Sequence, residues 1–264
     1  MDYREPSSIG SMRGITPSVK YLLILNVAIY LIEGWFHIQL SEIFALRAEW
    51  YKHLDFGQLF TYMFIHANAR HLLMNMLGLF FIGPTVERTL GSYRFFILYY
   101  LSGILGGLGW SLLAQTGDVC VGASGAVMGI LGDFGALYPN ARLLLYFILP
   151  VRAWVLVTGL VLWELFEVVT TPKIGGIANA AHLMGAIAGI MYILSLKHPN
   201  VINELKRKLP GGGRRSRSKP KRPASAAERL SKAEIDHILD KIGKEGMGAL
   251  TQRERELLKR ATRG

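Results

Sequence analysis

The chain has 264 residues, a formal net charge of +11 and 51% hydrophobic residues, with a mean hydropathy of +0.28. That is too apolar for an ordinary soluble domain. Several apolar runs approach the ~20 residues that cross a hydrocarbon core, and the short alternating segments of a spanning β-barrel are absent. The single cysteine, Cys120, excludes an intramolecular disulfide and is expected to be a small apolar filler.

Residues 1–18 are expected to form a short cytoplasmic segment. The first apolar run follows Arg13 and begins near Val19; Glu33, Trp35 and Phe36 come after it instead of a small-residue cleavage site, which predicts an uncleaved span. Six spans are predicted in all, near 19–36, 69–87, 93–114, 121–138, 151–169 and 177–197. The predicted class is therefore all-α, a six-helix membrane bundle over 19–197 with a small cytoplasmic helical tail. The mixed segment 37–68 contains Trp50, Tyr51 and the apolar stretch Leu59 to Ile65, and is expected to place short helices in the membrane interface.

Residues 198–223, rich in Pro, Gly, Arg and Lys, read as a flexible basic linker. Over 224–264 a helical hairpin is predicted. Ser231-Lys232-Ala233-Glu234 has the capping-box pattern and leads into Ile235, Ile238, Leu239 and Ile242. Gly243, Gly246 and Gly248 interrupt the pattern, and Thr251-Gln252-Arg253-Glu254 starts a second helix carrying Leu257 and Leu258.

Basic residues predict the orientation. With the N-terminus inside, Arg88, Arg94, Arg142, Arg152 and the tail lie in the cytoplasm, while Arg47, Lys52, Arg70 and Lys173 lie outside. The runs Lys206 to Lys208 and Arg214 to Arg222 then read as a retention signal and a contact for anionic lipid. No nucleic-acid-binding motif accompanies them, and no nucleic-acid partner is expected. The expected location is the plasma membrane of a prokaryote. In this topology spans two, four and six enter from the outer face, and His71, Ser124 and His182 each lie near the start of one of them.

These residues are the candidate chemistry. Titratable groups at membrane depth are expensive and mark function. Ser124, within Gly122-Ala123-Ser124-Gly125, is a candidate nucleophile, and His182 its general base. Gly125, Gly129 and Gly132 on span four, with Gly185 and Gly189 on span six, predict close contact of the two helices, bringing Ser124 to His182. His71 and Asn75 share a helix face and can donate hydrogen bonds to an oxyanion.

Rival chemistries are poorly supported. There is no His-Glu-x-x-His motif for a metal and no pair of aspartates on facing spans, so neither metal nor cofactor is expected. An internal repeat that would suggest a transporter is also missing. Glu164 and Glu167, three apart in the outer part of span five, could be functional carboxylates, but the favoured expectation is that they reach the interface or line a wet gap near the outer surface. Asp133 carries no assigned role. No acidic partner for the histidine is evident, which leaves a two-residue Ser-His device.

In combination and order, His66, His71-x-x-x-Asn75, the segment Gly83 to Gly91 with Glu87-Arg88, Gly122 to Gly125, and Ala178-Asn179-Ala180-Ala181-His182-x-x-Gly185 resemble the rhomboid intramembrane serine proteases. The resemblance covers about 19–197. It implies Ser124 as nucleophile and His182 as base, with His71, Asn75 and the Ser124 amide around the oxyanion. Supporting roles fall to Gly122, Gly125, Met128, Asn179, Gly185 and Glu87. It implies cleavage of single-pass membrane proteins near the outer surface, without cofactor. The chain departs from the pattern at Gly57-Gln58, where a Trp-Arg pair is common, and at Met128, where an aromatic often packs on the histidine. Inactive rhomboid-like proteins bind membrane clients without cutting them; Ser124 and His182 together argue against that reading.

Overall fold

A computed structural model describes residues 14–145, 148–171, 176–198 and 226–261. The chain divides into two compact units, Met1–Leu205 and Lys206–Gly264. The basic linker expected over 198–223 lies, beyond His198, outside the described residues, as do residues 1–13.

Six long helices make up the first unit: α1 (Pro17–Phe36), α4 (Ala69–Leu90), α5 (Ser92–Ser111), α6 (Ser124–Leu137), α7 (Ala153–Thr170) and α8 (Gly176–Lys197). Two single-turn helices, α2 (Ser41–Phe44) and α3 (Gln58–Thr61), lie between α1 and α4. By length and composition, three helices can cross a membrane: Pro17–Phe36, Ala153–Thr170 and Ile177–Lys197; Ser124–Leu137 is apolar but shorter. Polar side chains dilute α4, among them Arg70, His71, Asn75, Glu87 and Arg88. Four glycines do the same to α5.

Glu87 builds a joint at one end of this bundle. Its Oε1 accepts from the Ser18 amide at 3.0 Å and the Ser92 hydroxyl at 2.6 Å, and its Oε2 from the Val19 amide at 3.0 Å. Thr16, the N-cap of α1, makes no side-chain cap, so a carboxylate from α4 satisfies the orphan donors of a different helix. Gly91, at φ 80°, turns the chain sharply from α4 into α5.

Three features add to those expectations. Span four was expected from residue 121, but α6 begins at Ser124. Gly122 sits at φ 114°, outside the helical region, and the preceding Val119–Cys120 forms strand β2, antiparallel to β1 (Leu46–Arg47). A second hairpin, β3 (Arg142–Leu145) with β4 (Leu149–Arg152), precedes α7; its leucine-rich strands have no alternation to separate them from a span. The stretch Leu59 to Ile65 packs into the bundle. Leu59, Tyr62, Met63 and Ile65 are buried, and the Tyr62 hydroxyl donates to the Gly103 carbonyl at 2.6 Å. Gln58 ties this segment down in place of a Trp-Arg pair, its Oε1 accepting from the Arg47 amide at 3.0 Å.

α6 and α8 meet backbone to backbone. A Cβ on Gly185 would overlap the Gly125 carbonyl, and one on Gly189 the Gly129 carbonyl. Opposite, a Cβ on Gly106 of α5 would stand 2.9 Å from the Ala181 carbonyl oxygen. Small residues permit such approach without side chains between the helices. At the far end Lys197 Nζ donates to the Ala136 carbonyl at 2.8 Å, joining the last turns of α8 and α6.

In the second unit the first helix spans Ala226–Glu245, starting before Ser231, so the capping box expected there falls inside the helix. The reciprocal cap belongs to Thr251 and Glu254. The Thr251 amide donates to Glu254 Oε2 at 2.7 Å, and the Glu254 amide to Thr251 Oγ1 at 3.4 Å, opening the helix Gln252–Ala261. That amide and the Thr251 hydroxyl hold the Glu254 carboxyl down at about 2, with Lys241 assisting. Ile238 and Leu250 are buried in this unit.

Gly185→Ala is expected to push α6 from α8 and destabilise the bundle by about 1–3 kcal/mol. Gly159→Ala on α7, where an added Cβ meets nothing within 4 Å, is expected to be neutral. Thermal unfolding of both variants in one detergent checks the contrast.

Candidate active site

Ser124 opens α6, so its amide N–H has no intrahelical carbonyl and lies at the positive end of the helix. The approach to it is held by Gly122, whose amide donates to the Tyr62 carbonyl at 2.9 Å. Two constraints require glycine there. The φ of 114° disfavours any side chain, and a Cβ would stand 2.6 Å from His71 Nε2.

His182 lies on the second turn of α8. Its Nε2 is 2.8 Å from Ser124 Oγ. Gly125, next to the serine, faces the Ala181 carbonyl, next to the histidine. The glycine contact between α6 and α8 thus lies directly under the pair. The other ring nitrogen, Nδ1, is 3.1 Å from Glu164 Oε1 on α7. This overturns the expectation that no acidic residue attends the histidine. Glu164 is only 8% exposed. The two carboxylates of α7 differ: Glu167 Oε2 instead accepts from the Thr171 hydroxyl at 2.8 Å.

The sequence carried no signal that singled out Glu164, because α7 is apolar on nearly every face. The buried residues of α7 are Ala153, Val157 and Glu164, spaced by four and then seven, which is one helical face. Packing, and not the apolar pattern, places Glu164 on that face.

Asn68 caps α4, its Oδ1 accepting from the His71 amide at 2.9 Å. This sets His71 in the first turn, with its ring against Gly122. Asn75 is 5% exposed, and its Nδ2 donates to the His71 carbonyl at 3.0 Å; the second amide hydrogen is left for another acceptor. His66 packs edge-on against His71 with ring centroids 5.2 Å apart. Burial, with the neighbouring His71, pushes His66 down to about 4, so the inner ring is neutral above mildly acidic pH.

The structure therefore brings Ser124, His182, His71, Gly122, Gly125 and Gly185 into one place. Met128, a turn beyond Ser124, and Asn179, a turn before His182, are half-buried on the same two helices. Glu87 is not at the site; it caps α1. Asp133 is fully buried on α6, more than two turns past Ser124. Cys120 sits in β2, where burial pushes its thiol up to about 12, in keeping with an inert filler.

A family model described as the rhomboid domain matches residues 47–198, more than half the chain. The chain belongs to the rhomboid family. Its rhomboid domain includes every residue of the Ser124–His182 constellation. A second model, of a family of unknown function, matches residues 226–263. Among curated proteins the chain is 40% identical over 136 residues to "Rhomboid protein 1, mitochondrial" of Saccharomyces cerevisiae, covering 49% of this chain and 38% of that one. It is 29% identical over 214 residues to "Rhomboid protease AarA" of Providencia stuartii, covering 66% and 71%. To "Rhomboid protease GlpG" of Photorhabdus laumondii it is 26% identical over 184 residues, covering 67% and 61%. The chain thus spans well under half the length of the yeast relative.

Gly122→Ala is expected to strain the approach to Ser124 and displace the His71 ring, at on the order of 1–3 kcal/mol. Labelling of Ser124 by a fluorophosphonate should slow at least about tenfold, because misplacing reacting groups is costly. Matched thermal unfolding shows whether the variant remains folded.

Proposed function

We propose that this rhomboid-family protein is an intramembrane serine endopeptidase that cleaves transmembrane segments of single-pass membrane proteins near the outer membrane surface. The observation that carries the reading is the 2.8 Å approach of Ser124 Oγ to His182 Nε2. At this distance the imidazole can take the hydroxyl proton as Oγ attacks a scissile carbonyl carbon. It then returns that proton to the leaving amine, and water, activated by the same ring, hydrolyses the acyl-enzyme. The amide of Ser124 at the start of α6, together with His71 and Asn75, would receive the developing oxyanion; one such donor can be worth ~2.7–4 kcal/mol.

The accompanying topology has six spans over 19–197 and both termini in the cytoplasm at a prokaryotic plasma membrane, with basic 198–223 against anionic lipid and 224–264 as a small helical hairpin. Its starting point is the basic-residue asymmetry. In this frame α4, α6 and α8 all start at the outer side, and water reaches the site from there.

Purified in detergent or liposomes, Ser124→Ala and His182→Ala should each reduce cleavage of a reporter transmembrane segment by at least about 10³-fold. Undiminished cleavage by either folded variant overturns the assignment. The reading also expects fluorophosphonate labelling of the wild-type chain to vanish in Ser124→Ala.

A further inference from the structure

A carboxylate on a largely apolar helix is expensive to bury. The penalty for an unpaired ion amounts to several kcal/mol, and position 164 could be filled by leucine or alanine on packing grounds alone. The other buried positions of α7, Ala153 and Val157, are apolar. What Glu164 meets at its buried position is the Nδ1 edge of His182, at 3.1 Å. The opposite edge of the same ring faces Ser124 Oγ at 2.8 Å. Glutamate, imidazole and hydroxyl thus form a continuous line drawn from three helices, α7, α8 and α6.

The neutral imidazole has two tautomers, and only one can act as a base toward the serine. Nε2 must carry the free lone pair, so Nδ1 must carry the hydrogen. A carboxylate oxygen at Nδ1 accepts that hydrogen and favours the competent form. It also opposes the positive charge that appears on the ring when Nε2 takes the serine proton, in a setting where water screens little.

We infer that Glu164 is the positioning residue of the Ser124–His182 pair: its Oε1 accepts the Nδ1–H of His182, holds the ring in its base-competent tautomer, and stabilises the imidazolium formed during acylation and deacylation. Glu164 carries no proton at any step. The proton leaves Ser124 Oγ for His182 Nε2 as Oγ bonds to the substrate carbonyl carbon, and passes from Nε2 to the leaving amine as the peptide C–N bond breaks. Glu164 acts only through the ring. This inference rests on the serine-protease reading above and extends its two-residue device to three.

The test uses the full chain in detergent with a reporter transmembrane substrate. Glu164→Ala should lower kcat by about 10²-fold or more, with KM within about threefold. Glu164→Gln keeps an oxygen acceptor at Nδ1 but not the charge, and should fall between wild type and Glu164→Ala. Nitrogen-15 spectra of histidine-labelled protein, with His182 assigned by its loss in His182→Gln, should show Nδ1–H in the wild type and a shift toward Nε2–H in Glu164→Ala. A merely structural role would leave the tautomer unchanged in folded variants. Wild-type kcat in folded Glu164→Ala, or an unaltered His182 tautomer, overturns the inference. If Glu164→Ala fails to fold, wild-type kcat in Glu164→Gln overturns it instead. The two readings fail separately. Ser124-dependent cleavage that ignores Glu164 sinks only the positioning role, whereas cleavage that survives Ser124→Ala sinks the protease itself.

Discussion

The contact between α6 and α8 is made of backbone on both sides, and the chemistry depends on it. Glycine meets the Gly125 carbonyl at 185 and the Gly129 carbonyl at 189, and a side chain at either place would force the helices apart. Because Ser124 adjoins Gly125 and His182 lies one turn before Gly185, the spacing of the two helices is also the spacing of hydroxyl and imidazole. A separation enlarged by one methyl group would turn a 2.8 Å hydrogen bond into a gap. Close-packed interiors are nearly incompressible, which makes this contact a rigid gauge.

The other supports act on the two ends of that gauge. On the serine side, Gly122 lets the chain enter α6 at a φ no other residue adopts easily, and its amide is anchored to the buried Tyr62 segment. On the histidine side, α7 brings a carboxylate to the ring. Glu87, remote from the chemistry, makes a comparable connection by capping α1 from α4 and holding Ser92 of α5. Both oxygens of Glu87 accept from donors on neighbouring helices, whereas Glu164 places one oxygen on the imidazole and leaves the other without a partner.

Much of the bundle was legible. The predicted spans coincide with the six long helices to within a few residues, because long, largely apolar segments free of turn residues favour helix. The offset at the start of α6 traces to the Gly122 dihedral, which leaves no mark in composition. The β1–β2 pairing of Leu46–Arg47 with Val119–Cys120 was not legible at all, since two-residue strands far apart in the chain carry no periodic pattern. In the tail, two segments matched the capping pattern, at 231–234 and 251–254; the second is the one whose residues make the cap, because the first lies inside a helix already begun.

From sequence alone came the apolar runs, the glycine spacings and the rare polar residues within them. These properties belong to residue types and short separations, and they were enough to nominate Ser124, His182, His71 and Asn75. The tertiary structure alone decided which of two carboxylates three residues apart reaches the histidine. Glu164 and Glu167 are chemically identical and close on the same helix. Only the way α7 packs in the bundle sends one to the imidazole and leaves the other to Thr171.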